Sequence, residues 1–232
     1  LIEAEKTIRQ SRFRPYLSFD DLNFDSLKEA IFQSSVYNCY LQSGSASVSE
    51  FDSIKTGTNY ACGWNDDQVS TGCFKDYIKT EGNFERDLIA VERWNMVENP
   101  REESSVLFRR EFSARFEDRL LMLLCRKTYR FRNDFFSIDY ELSNKNTEAC
   151  LFRFCTNSEI IAAPIFEDHR FELLHHRESK ALDLRSQAFF ETVDGIGLSN
   201  VRKAERVLIR SDLPFSLLAK PNFLKKPSVS PQ

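Results

Sequence analysis

Glycine is scarce in this chain of 232 residues, with only 7. No stretch is glycine-rich enough to wrap a phosphate group in backbone amides, which removes nucleotide cradles of that kind. No apolar run approaches the roughly 18 residues of a membrane-crossing helix, and no signal peptide is visible. An excess of one charge is missing too. The 32 basic and 35 acidic residues leave a net charge of -3, so neither nucleic acid nor a membrane is expected as a partner. The six cysteines, Cys39, Cys62, Cys73, Cys125, Cys150 and Cys155, include no CxxC pair, and no Ser or Cys sits in a nucleophile elbow. Most of the cysteines lie inside apolar runs. A chain of this length buries roughly 70% of the surface its unfolded form exposes, enough for a core without cross-links. The expectation is therefore buried free thiols in a reducing, cytoplasmic setting. The first residue is Leu1 rather than Met, which reads as a fragment or a processed product.

What the chain does hold is phenylalanine, 21 residues of it, the composition of a sheet core filled with rings. The organising stretch runs from Leu120 to Ile160. Within it Phe136, Ile138, Tyr140 and Leu142 alternate with Ser137, Asp139 and Glu141. This period of two marks a half-buried strand. Arg132-Asn133-Asp134 and Ser143 to Asn146 supply hairpin turns on either side, and Leu151 to Cys155 is expected to return as the third strand of an antiparallel meander. A meander with one apolar face needs a second layer, so the chain reads as all-β, one large antiparallel β-sandwich. Residues 1–25 are expected to form a short helix and a linker, 26–219 the sandwich, and 220–232 a disordered or truncated tail. Cys73 to Thr80 reads as a helical turn or connector, Asp194-Gly195 as a turn, and Trp94 as core.

The loop from Thr56 to Gly72 carries the candidate site. Sugar rings pack their C–H faces on aromatic plates, and their hydroxyls need amide and carboxylate partners. Asn59, Tyr60, Trp64 and Asp66 offer both on one loop. The competing reading makes Trp64 a plug at the end of the sandwich. Asp20, Asp21, Asn23 and Asp25 lack the ordered spacing and terminal Glu of a calcium loop and read as a solvated turn. Glu159, Glu167 and Asp168 lie near His169, His175 and His176, but nothing in the pattern buries them, and adjacent histidines on a strand face opposite ways. No metal ligand set, catalytic residue or cofactor is expected.

Several segments resemble the C-terminal β-sandwich of glycoside hydrolase family fifty-seven enzymes, of 4-α-glucanotransferase and α-amylase type. Tyr37-Asn38 followed by Ser47-Val48-Ser49-Glu50-Phe51-Asp52 is similar to a Tyr-Asn pair leading into S-x-x-E-L-D-Y. Asn59-Tyr60 matches part of a W-N-Y segment, with Thr58 at the Trp position. Phe74 and Asp76 match R-x-x-F-x-D-H, with Tyr77 in place of His. Lys127 to Asn144 matches most closely, as a K-x-Y-x-F strand followed by Y-x-L-x-N. Downstream, FRFCTNSEI is similar to a segment ending E-x-N-L, keeping Asn157 but with Cys155 for Glu. The resemblance covers much of residues 29–161. It implies a galactose-mutarotase-like sandwich that frames a glucan cleft, while the reacting carboxylates belong to an N-terminal barrel domain absent from this chain. The expected function is thus that of a non-catalytic accessory domain of an α-glucan-processing enzyme, with an α-glucan or maltooligosaccharide and an upstream barrel as partners. The alternatives are a stand-alone mutarotase-like epimerase, and a structural or interaction module.

Overall fold

The computed structural model describes residues 13–61, 72–79, 89–91, 93–98, 104–116, 119–149, 152–158, 160, 169–175, 178–182 and 187–219. The chain divides into two compact units, Leu1–Ala163 and Pro164–Gln232.

The first unit begins with five antiparallel strands in sequential order, β1 (Tyr16–Asp20), β2 (Glu29–Gln33), β3 (Tyr37–Gln42), β4 (Ser47–Ser53) and β5 (Thr58–Asn59). Ser34 makes the β2–β3 turn, its Oγ accepting from the amides of Val36 and Tyr37 at 3.1 and 3.0 Å, as a hydroxyl at a tight turn does. Next come β6 (Lys75–Lys79), β7 (Ile89–Ala90), β8 (Asn95–Glu98), β9 (Ser105–Phe116), β10 (Arg119–Phe131), β11 (Phe136–Asn144) and β12 (Arg153–Asn157). Strands β11-β10-β9-β8 make a four-stranded sheet and β12-β6-β7 a three-stranded one. The last pairing spans a long stretch of sequence: the Phe74 amide, just ahead of β6, donates to Ser158 Oγ across 84 residues.

Alternation places Ala30, Phe32, Tyr37, Cys39 and Leu41 of the five-stranded sheet in one core with Phe108, Leu123, Cys125, Tyr129 and Phe131 of the four-stranded sheet. Phe32 stacks on Phe131 at 4.6 Å between centroids. Each fully buried ring of this size contributes about 1.5–3 kcal/mol by leaving water. Polar tips find partners at the edge of this core. Tyr129 donates to the Ala46 carbonyl at 2.8 Å, and the Tyr37 hydroxyl sits on the carbonyls of Arg132 and Phe135 at the β10–β11 turn.

The second unit holds β13 (His169–His175), β14 (Glu178–Leu182), β15 (Ala188–Asn200) and β16 (Glu205–Ala219), ordered β14-β13-β15-β16 and antiparallel. Asp194-Gly195, expected as a turn, lies inside β15 where the pairing with β16 shifts register. A Cβ on Gly195 would stand 2.6 Å from the Ile209 carbonyl oxygen. Glycine is there for close strand approach, the other use of the residue.

These observations correct the expected architecture. The described residues are all β, but they gather into four small sheets of five, four, three and four strands rather than one large sandwich of galactose-mutarotase type. The physical reason is that an alternating pattern identifies a strand without naming its partner. Strand β12, which overlaps the stretch expected to extend the meander, pairs with β6 instead, and β6 lies where a helical turn or connector was expected. No helix occurs among the described residues, and the helix expected over residues 1–10 lies outside them. Trp94 is core as expected, 4% exposed, with its indole N–H on the Val91 carbonyl at 2.8 Å. Cys39, Cys73 and Cys125 are buried free thiols, and Cys155 is a half-buried one. No helix among the described residues is long and apolar enough to cross a membrane.

Candidate functional site

Of the four loop residues expected to meet a sugar, two are described. Asn59 ends the five-stranded sheet on β5, half exposed, and its carboxamide oxygen accepts from the Ala61 amide at 2.9 Å, closing an Asx turn that starts the loop. Tyr60 is 3% exposed, and its ring lies 6.3 Å from that of Phe51, so it roots the loop in the core. Trp64 and Asp66 fall outside the described residues, as do Glu159, Glu167, Asp168 and His176. The structure therefore joins Asn59 and Tyr60 at one sheet edge. His169 and His175 both lie on β13 in the second unit.

The strongest buried polar cluster was not anticipated. Lys127 occupies an apolar register on β10, between Cys125 and Tyr129, and its side chain is fully sealed from water. Its ammonium donates to Asp76 Oδ2 at 2.8 Å and to the Phe74 carbonyl at 2.5 Å. Tyr140, the register partner of Lys127 on β11, donates to Asp76 Oδ1 at 2.9 Å. Thr156, opposite Asp76 on β12, adds a further side-chain hydrogen bond. The ammonium also lies 5.3 and 5.2 Å from the ring centroids of Tyr129 and Tyr140, within cation–π range. Burial lowers the Lys127 ammonium to about 8 against the pull of Asp76. Burial also raises the Asp76 carboxyl, opposed by the Lys127 charge and by hydrogen bonds from Lys127, Tyr140 and Thr156.

Chemically this cluster is a clasp. With both charged side chains at zero exposure it presents no group to a ligand, and it ties the three-stranded sheet to the four-stranded one through a single carboxylate. Its members fall in three of the segments that carry the resemblance: Phe74 and Asp76 in one, Lys127, Tyr129 and Tyr140 in Lys127 to Asn144, and Thr156 in FRFCTNSEI. The missed signal was a lysine in the apolar half of an alternating strand, a placement tolerated only when a counter-charge is buried with it.

No family model matches the chain, and no curated protein matches it. Among solved structures it is similar to the crystal structure of a 4-α-glucanotransferase from Thermococcus litoralis, with a TM-score of 0.62 and 12% sequence identity. The match covers 94% of this chain and 34% of that one, so the chain spans about a third of the enzyme's length. At this identity the likeness is one of fold.

Proposed function

We propose that the chain is a non-catalytic accessory domain of an α-glucan-processing enzyme related to glycoside hydrolase family fifty-seven, and that its loop after β5 contacts glucan. The observation that carries this reading is the fold match: nearly all of this chain superposes on one third of a 4-α-glucanotransferase. The burial of Asp76, a residue of one resemblance segment, beneath Lys127 and Tyr140 of another supports it, because that carboxylate serves packing and is sealed from any sugar. In this reading Tyr60 anchors the loop, while Asn59, Trp64 and Asp66 meet the sugar. A ring stacked on a sugar ring is worth roughly 0.5–1.5 kcal/mol, the scale of aromatic contacts beyond simple burial. Trp64→Ala is expected to weaken maltooligosaccharide binding by about tenfold in titration calorimetry. Unchanged affinity would remove the loop from the site. The isolated chain is expected to show no hydrolase or transferase turnover. Glucan cleavage abolished by one carboxylate substitution would overturn the accessory role.

A further inference from the structure

The connection between β1 and β2, read from the sequence as a solvated turn, is wound around its own acids. Asp21 Oδ1 accepts from the Asp25 amide at 3.1 Å, and its Oδ2 from the Ser26 amide at 3.0 Å. Asn23 Oδ1 accepts from the Asp25 amide at 3.0 Å, and its Nδ2 donates to Asp25 Oδ2 at 3.0 Å. Asp25 Oδ1 accepts from the Leu27 amide at 2.8 Å. Phe24 and Ser26 take φ of 60° and 70°, a left-handed backbone that residues other than glycine seldom adopt. Side chains two apart, at 21, 23 and 25, thus bond within the turn instead of fanning into water.

On their own these bonds describe a turn. What points beyond it is Glu29, the first residue of β2. It is 5% exposed, and its Oε2 reaches into the turn to accept from the Leu22 amide at 2.8 Å. Its Oε1 is buried with no hydrogen-bond partner among the described residues. Burial raises the Glu29 carboxyl, the Leu22 amide opposes the rise, and the charges of Asp25 and Asp21 add to it. Glu29 therefore feels both acids of the turn. A sheltered carboxylate is stable when a cation or a set of donors meets it, and here one oxygen has neither. The stretch 20–29 holds four acids, Asp20, Asp21, Asp25 and Glu29, and one base, the exposed Lys28.

The donor set selects the ion. Carboxylate and amide oxygens suit a hard cation, and the stretch has no Cys or His to favour zinc. No three His, Cys, Asp or Glu among the described residues are set to hold a metal by themselves, so the shell needs other oxygens too. Calcium accepts that mixture, taking 6–8 carboxylate, amide, backbone carbonyl and water oxygens in a flexible arrangement. We infer that the turn 21–29 binds one calcium ion, with Asp21, Asn23 and Asp25 as ligands from the turn and Glu29 Oε1 as the sheltered ligand from the strand. The amide bonds do not compete with this, because each of these oxygens has a second lone pair. The ion ties the turn to the first residue of β2.

The test is calorimetric titration of calcium chloride into the chelator-treated full chain, with magnesium chloride in parallel. The same titrations are run on Glu29→Gln, Asp25→Asn and, on the four-stranded sheet, Glu141→Gln. The parent is expected to bind one calcium with a Kd of about 10⁻⁴–10⁻³ M, the range of exposed loop sites, and magnesium at least tenfold more weakly. Glu29→Gln and Asp25→Asn should each weaken calcium by about tenfold or more, since ligand charge sets the affinity, with Glu141→Gln matching the parent. Should Glu29→Gln fail to fold, Asp25→Asn, at an exposed position, decides. Parent-like affinity in the deciding variant overturns the site. So does the absence of calcium binding at 10 mM, roughly ten times the weakest Kd expected, or equal affinity for magnesium, the mark of a diffuse acidic patch.

Discussion

Replacing Lys127 by methionine keeps most of the stem volume and deletes the charge. In the parent the ammonium lies 2.8 Å from Asp76 Oδ2 with both side chains sealed from water. The variant leaves a buried carboxylate held by Tyr140 and Thr156 alone. Breaking a buried pair from one side costs about 3–5 kcal/mol, whereas exchanging both partners for apolar groups is commonly neutral or better. Lys127→Met and Asp76→Leu should therefore each be strongly destabilised, and the double variant should return to within about 1 kcal/mol of the parent. Guanidinium unfolding at neutral pH measures all three. The pH dependence carries a second signature. With its cation gone, Asp76 has a folded-state pKa raised further above the usual 3.8. A raised folded value means stability fully present below the unfolded pKa and lost as pH rises through the folded one. The deficit of Lys127→Met should accordingly shrink on acidification. At the alkaline end Lys127 itself is lowered from 10.5 to about 8 by burial. There the unfolded chain binds the proton more tightly, so this group adds stability as pH rises between those values, a gain absent from Lys127→Met. A loss under about 1 kcal/mol in Lys127→Met, or a double variant as unstable as the sum of the singles, would refute the clasp.

Two further substitutions probe the same framework. Tyr140→Phe removes one donor from Asp76 and should cost about 1.5–3 kcal/mol, the value of a hydrogen bond to a charged group, in the same unfolding assay. Gly195→Ala would drive a methyl group to 2.6 Å from the Ile209 carbonyl. The strain should cost about 1–3 kcal/mol, with faster amide exchange along β15 and β16 and parent-like exchange in the first unit. Parent-like exchange throughout would show that the two strands can separate freely at that point.

Strand identity was largely legible in the sequence, because burial on one face writes itself into every second residue. The alternation Leu121, Leu123, Cys125, Lys127, Tyr129, Phe131 is β10, and Phe136 to Leu142 is β11. Partnership was not legible. Nothing within β12 says that it pairs with β6, since an alternating pattern carries no address for its partner. Asp194-Gly195 misled for a related reason: glycine serves turns and close strand approaches alike, and only the neighbouring carbonyl shows which. Asn59, singled out from loop composition, lies at the end of β5. That Gln33, Asn38 and Asp52 share its row was hidden, because a row across a sheet exists only once the register is known.

The reach from Phe74 to Ser158 has a bearing on synthesis. A ribosome adding roughly 5–20 residues per second needs about 4–17 s to deliver the 84 residues that separate them. Throughout that interval β6 waits with its hydrogen-bonding edge open, the condition in which nascent strands find wrong neighbours. Its flanking lysines, Lys75 and Lys79, are the residue type that discourages such encounters. In the folded chain Lys79 is buried, so its charge faces water only while the strand is still unpaired.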